Sequence, residues 1–188
     1  NLNSLIYLVQ DPKLTEAISQ VKELAKRGAL SELQADDLKD SDIKPATLGW
    51  TGGPLHLNSV RRALQRVKSG EVEMMVIRAP NGIPIAKGGI DYEVNPGSGT
   101  IWQLVSHPEL KGLGTGTMLI KAMEKKMLKR GVPTAMMGVE TWNERAKKLY
   151  ERLGYKVVGT KQETWKELDK DGKEFDYVAD EYQMSKDL

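Results

Sequence analysis

Residues 101–117 read Ile-Trp-Gln-Leu-Val-Ser-His-Pro-Glu-Leu-Lys-Gly-Leu-Gly-Thr-Gly-Thr, an apolar strand pattern that empties into glycines at 112, 114 and 116 and then into an amphipathic helix. Such a strand, loop and helix, with a second strand starting after Gly131, requires an α/β sheet holding a parallel pair. The glycines let the backbone approach a ligand, and the helix adds the positive end of its dipole where several N–H groups converge. This is the chemistry of an anion site, most often for phosphate. The competing reading is a tight turn that binds nothing. A nucleoside-triphosphate loop is excluded, because no lysine follows any of these glycines. A dinucleotide loop fits poorly: residues 107–111 separate the strand from its first glycine, and Thr117 stands where a third glycine belongs.

Residues 106–116, Ser-His-Pro-Glu-Leu-Lys-Gly-Leu-Gly-Thr-Gly, resemble the acetyl-coenzyme A pyrophosphate loop of the GNAT superfamily of N-acetyltransferases, Arg/Gln-x-x-Gly-x-Gly/Ala after a Val-x-Pro lead-in. Lys111 departs from the Arg or Gln of that pattern, and Ser106 from its Val. A second segment, residues 143–155, is similar to the family's Asn-x-x-Ala-x-x-Leu-Tyr-x-x-x-Gly-Phe/Tyr, in the right order and at the right distance.

That second segment also makes sense residue by residue. Asn143, Ala146, Tyr150 and Leu153 recur at helical spacing and share one stripe. Asn143 and Tyr150 then lie roughly 10 Å apart along the axis, with a small Ala146 between them, a span suited to an extended ligand arm. The structural alternative is a capping box of Thr141 with Glu144, a stop at Gly154 and a tyrosine used for packing.

At 188 residues the chain is long enough for one well-buried domain. We expect a single domain over residues 1–188, with 10–70 as a helical acceptor-side region and 100–155 as the acetyl-CoA-binding core. Lys and Arg total 28 against 26 Asp and Glu, so the net charge of +2 supplies no field to recruit nucleic acid or an acidic membrane. The absence of cysteine excludes disulfides and a thiolate nucleophile, and two separated histidines argue against a metal site. With no apolar run of about 18 residues and no visible signal peptide, a cytoplasmic protein is expected, monomeric or a homodimer.

Periodicity predicts a strand over 5–9, a helix over 14–27, a polar, weakly helical stretch over 31–40, a loop over 44–54 and a basic helix over 57–68. Strands at 71–79 and 83–94 join through Pro80-Asn81-Gly82, and a turn at 95–99 leads into the strand ending at Gln103. The helix after the glycine loop buries Met118, Leu119, Ala122, Met123 and Met127 and turns Lys121, Lys125 and Lys129 to water. A strand at 134–140, a helix at 142–153 and a hairpin of 155–165 with 174–184 close the chain. The resulting class is α/β, a mostly antiparallel mixed sheet flanked by helices. The resemblance implies the GNAT-like acyl-CoA N-acyltransferase fold, with its central parallel pair splayed at the acetyl-CoA site.

The activity implied is transfer of acetyl from acetyl-CoA to a primary amine of a small molecule or protein, by direct attack in a ternary complex and without metal. The resemblance assigns coenzyme binding to Leu104, Val105, Ser106, Lys111, Gly112, Leu113, Gly114, Thr115, Gly116, Thr117, Asn143 and Ala146. Tyr150 is the candidate general acid, since a phenol of pKa about 10 can protonate a thiolate of pKa about 8.5. Glu140 is the first candidate base, with Asp91, Glu93 or a water chain as alternatives; the position where some family members carry a glutamate is Gly138. His56 could approach the acceptor pocket. Trp50, Trp165, Tyr177, Asp169, Asp171, Glu174 and Asp176 could favour a cationic or aromatic amine. Two further classes remain: a non-catalytic acyl-CoA-binding regulatory module, and a nucleotide-binding oxidoreductase.

Overall fold

Asp11 starts the first described helix: its side chain accepts from the Lys13 N–H at 2.8 Å and Pro12 fills the first turn. The computed structural model describes residues 10–188, so the strand expected over 5–9 lies outside them. Helices are α1 (Pro12–Lys26), α2 (Pro45–Leu48), α3 (Gly53–Val67), α4 (Thr115–Arg130) and α5 (Glu144–Arg152). Strands are β1 (Ala35–Asp37), β2 (Val72–Arg78), β3 (Pro84–Asp91), β4 (Gly99–Ser106), β5 (Thr134–Glu140), β6 (Lys156–Leu168) and β7 (Glu174–Asp187). Their hydrogen-bonded order is β1-β2-β3-β4-β5-β7-β6.

The chain divides into two units, Asn1–Ile90 with Gln103–Met123, and Asp91–Trp102 with Glu124–Leu188. In the first, β2 and β3 are buried almost throughout, so successive residues such as Val76 and Ile77 are both covered. Strands of this kind are apolar on both faces, and each fully buried Val or Ile contributes about 1.5–3 kcal/mol. Leu14, Ala17, Ile18, Val21 and Leu24 bury one stripe of α1. Leu57, Val60 and Ala63 do the same for α3.

The stretch expected to be weakly helical instead contains β1, paired antiparallel with Met75, Val76 and Ile77. Tertiary bonding overrides local propensity there. The Arg78 guanidinium donates Nε to Asp36 at 2.7 Å, Nη1 and Nη2 to Asp42 at 2.8 and 2.9 Å, Nη2 to the Asp37 carbonyl and Nη1 to the Gly82 carbonyl. The stretch expected to be a loop before α3 contains the short helix α2 and a 3-10 turn.

In the second unit, the start of β4 and the strand β5 form the expected parallel pair, with Gly99, Thr100 and Ile101 opposite Ala135, Met136 and Met137. Both strands continue past that register. β5 then pairs antiparallel with β7 over its whole length, and β7 with β6 in a long hairpin. The Asp169 side chain closes the hairpin by accepting from the Asp171 and Lys173 N–H groups, both at 2.9 Å. Glu124 is buried, with Tyr155 donating to it at 3.0 Å and Lys186 at 2.9 Å. The α4 periodicity had not assigned Glu124, nor Ile120, to the buried face.

Candidate active site

The glycine loop has the geometry that its sequence demands. After Ser106, His107 caps a 3-10 turn over Pro108–Leu110 by accepting the Glu109 N–H on Nδ1 at 3.2 Å. Gly112 and Gly114 follow at φ 81° and 93°, in the left-handed region that only glycine enters without strain. The helix ladder begins with the Met118 N–H bonded to the Gly114 carbonyl at 3.0 Å. The N–H groups of Thr115, Gly116 and Thr117 therefore have no carbonyl one turn behind them within the helix. Thr115, buried, donates its hydroxyl to Ser106 Oγ at 3.3 Å and ties the helix start to the end of β4. Unspent N–H groups, a dipole end and an exposed Lys111 make a fit cradle for a pyrophosphate.

Just upstream, Gln103 adopts φ 55° and is the non-glycine residue with positive φ among those described. Lys87 from β3 holds it, donating Nζ to the Gln103 carbonyl at 2.9 Å and to its Oε1 at 3.3 Å. The same Nζ lies 2.9 Å from His56 Nε2. Burial pulls the Lys87 ammonium down to about 7, and burial followed by the nearby Lys87 charge pulls His56 down to about 4. His56 thus faces a buried lysine. Trp50 packs against His107, with ring centroids 5.1 Å apart and planes tilted by 55°, and donates its indole N–H to the Thr47 carbonyl, which gives it a packing role.

In the second unit, Asn143 rather than Thr141 caps α5, with its Oδ1 accepting the Ala146 N–H at 3.2 Å. Asn143, Ala146, Tyr150 and Leu153 are half-buried, whereas Glu144, Arg145, Lys148 and Glu151 are exposed, as the stripe requires. Burial raises the Tyr150 phenol above its ordinary acidity range, which keeps it protonated and able to act as an acid. Glu140, at the end of β5, accepts the Tyr177 hydroxyl at 2.7 Å. Asp91 spends its Oδ1 on the Glu93 and Val94 N–H groups, and Glu93 is exposed. Asp169 is the turn-closing residue above, and Asp176 pairs with Lys166 at 2.6 Å.

Sequence reasoning passed over Lys87 and Gln103. A lysine inside the apolar run of β3 was the one visible signal, since a buried lysine needs a partner. Among the described residues no group of three His, Cys, Asp or Glu side chains is placed to hold a metal ion. No described helix is long and apolar enough to cross a membrane.

The model of the acetyltransferase (GNAT) family matches residues 56–155, more than half of the chain. The chain belongs to that family. Among solved structures, the ribosomal-protein-S18-alanine N-acetyltransferase of Escherichia coli superposes with TM-score 0.63 at 19% identity, covering 83% of this chain and 94% of its own. A spermidine N-acetyltransferase chimera from Vibrio cholerae and hSSAT gives 0.63 at 15% identity, covering 82% and 94%. The PaiA N-acetyltransferase of Thermoplasma acidophilum, in complex with coenzyme A, gives 0.58 at 17% identity, covering 83% and 99%. At these identities the likeness is one of fold, and family membership sets aside the oxidoreductase reading.

Proposed function

We propose that this chain is an acetyl-CoA-dependent N-acetyltransferase whose 188 residues form one catalytic domain, and that it acts on a primary amine in a ternary complex. The observation that carries the reading is the N-terminus of α4, where Gly112 and Gly114 turn the backbone so that the N–H groups of residues 115–117 stay unspent. Acetyl-CoA supplies the activated acetyl thioester. Residues 112–117 hold its pyrophosphate through backbone N–H groups, assisted by Lys111, and the backbone of Leu104, Val105 and Ser106 receives the acyl arm. Ala146 leaves room for that arm beside α5, and Asn143, with Oδ1 committed to the helix cap, has its amide NH2 left to donate. Tyr150 gives a proton to the leaving sulfur. Glu140, the candidate base on β5, has its carboxylate engaged by the Tyr177 hydroxyl.

The acceptors named for the structural neighbours, spermidine and an alanine of a ribosomal protein, give the first amines to try. Release of free thiol from acetyl-CoA with a panel of amines tests catalysis. Calorimetry with acetyl-CoA against a dinucleotide tests the coenzyme. Coenzyme binding without thiol release for any amine overturns the enzymatic reading in favour of a regulatory acyl-CoA-binding module.

A further inference from the structure

β5 and β7 pair with Gly138 opposite Gln183 and Glu140 opposite Glu181. Alternate residues share a face, so these four positions look the same way, joined by Lys161 of β6 opposite Glu181. Gly138 contributes no side chain there, and the Glu181 carboxylate occupies the space: a Cβ on Gly138 would lie 2.5 Å from its Oε2 and 3.1 Å from its Cδ.

The neighbouring charges are already engaged. Glu140 accepts from Tyr177, and Glu163 pairs with Lys161. The Glu181 carboxylate makes no side-chain hydrogen bond or ion pair among the described residues. Beside it, Gln183 Nε2 is buried without a partner, 3.4 Å from the same Gly138 Cβ position. A buried donor of this kind costs about 1–3 kcal/mol unless a water or a ligand atom accepts from it. Farther along the same face the Trp165 and Tyr177 rings pack with centroids 4.9 Å apart and planes tilted by 41°, an aromatic surface that suits an ammonium group.

Resting on the acetyltransferase reading, we propose that Glu181 is the general base of the reaction and the anchor for a cationic primary amine, supplying from β7 the carboxylate that β5 lacks at Gly138. Glu181 binds the protonated amine and takes one proton from it, leaving a neutral nitrogen with its lone pair. That nitrogen attacks the acetyl carbonyl; the C–N bond forms and the C–S bond breaks. The nitrogen sheds its second proton to water, the sulfur gains one from Tyr150, and Glu181 and Tyr150 exchange protons with solvent to reset. The groups that face Glu181 are Glu140 from β5 and Lys161 and Glu163 from β6. Burial first, then Glu163 and Glu140, against the opposing Lys161, raise the proton affinity of this carboxylate, as a base requires.

Lys147 lies 5.0 Å from the centre of the Tyr182 ring, and Tyr182 alternates with Glu181 along β7. Helix α5, which carries Tyr150, thus covers the opposite face of this part of the sheet.

The test uses 1,4-diaminobutane and a peptide with N-terminal alanine as acceptors, read by thiol release. It adds calorimetry of 1,4-diaminobutane in the presence of coenzyme A. Glu181→Gln is expected to slow transfer at least a hundredfold near neutral pH, weaken diamine binding about tenfold, and leave coenzyme A affinity near wild type. It should also flatten the acid limb of the pH profile, where wild-type activity falls as Glu181 is protonated. In a Glu181→Ala background the clash at Gly138 is gone, and Gly138→Glu is expected to restore a large part of the rate. That rescue decides the matter where Glu181→Gln folds poorly. Wild-type rates with an intact acid limb in Glu181→Gln, or no rescue by Gly138→Glu in a folded protein, overturn the role of Glu181 and leave the acetyltransferase reading standing. No thiol release by the wild type with these or any other amine of the panel, although coenzyme A binds, overturns both.

Discussion

Gly114 and Gly116 lie two residues apart in the same loop, yet the structure predicts opposite outcomes for the same substitution. Gly114 sits at φ 93° with open space around a would-be Cβ, so Gly114→Ala meets no neighbour and pays only in backbone conformation. That strain costs about 1–2 kcal/mol, equivalent to roughly 2–8 °C in melting temperature for a chain of this length. The chain relieves it by rotating the peptide at the helix start, which turns N–H groups away from a bound pyrophosphate. Losing one charge-assisted hydrogen bond, about 1.5–3 kcal/mol, lowers coenzyme affinity by tenfold or more. Gly116 is helical, and its Cβ would meet Ser106 Oγ at 3.4 Å, an ordinary contact. Gly116→Ala should therefore keep coenzyme affinity and melt at or slightly above wild type, since alanine is favoured over glycine in a helix by up to about 1 kcal/mol. Calorimetry with coenzyme A and thermal melts on both variants check the contrast. Unchanged affinity in a folded Gly114→Ala, or a matching loss in Gly116→Ala, refutes the account of the loop.

Tyr150→Phe should slow single-turnover transfer about a hundredfold with coenzyme affinity near wild type, whereas wild-type turnover would remove its hydroxyl from the chemistry. Stability should rise with pH over two windows, measured by melting across pH 4 to 10. His56 folds with its pKa depressed from 6.5 to about 4, so its contribution of about 2 kcal/mol is present above pH 6.5 and lost as pH falls toward 4. Lys87 folds with its pKa depressed from 10.5 to about 7, so the cost of burying its charge applies below pH 7 and is relieved as pH rises toward 10.5; Lys87→Met should abolish that second rise. Arg78→Lys keeps the charge but cannot reproduce the bidentate bond to Asp42 together with the bonds to Asp36 and two carbonyls, and should lose about 2–4 kcal/mol in urea unfolding.

Local patterns carried the parts of this protein whose physics is local. Alternate glycines between a strand and a helix are dictated by φ and by backbone approach, so the loop at residues 112–117 was legible from spacing. The stripe of Asn143, Ala146 and Tyr150 was legible from the helical period. So was the parallel pair, because a strand, helix and strand in succession leave few other arrangements. The spacing rule misplaced the α5 cap by two residues, since Thr141 and Asn143 are both good caps and the β5 to β7 pairing fixes where the helix starts: the Thr141 N–H is bonded to the Asp180 carbonyl. Tertiary structure alone decided what depends on distant residues. Residues 35–37 became a strand because Arg78 and β2 hold them. Lys87 reached His56 and Gln103 only once β3, β4 and α3 were packed, which turned an anomalous lysine in an apolar run into a proton-sensitive clamp. Gly138 stands in the sequence where a carboxylate is missing; strand register lays the Glu181 carboxylate over it, because a glycine leaves space on that face for a side chain of the neighbouring strand.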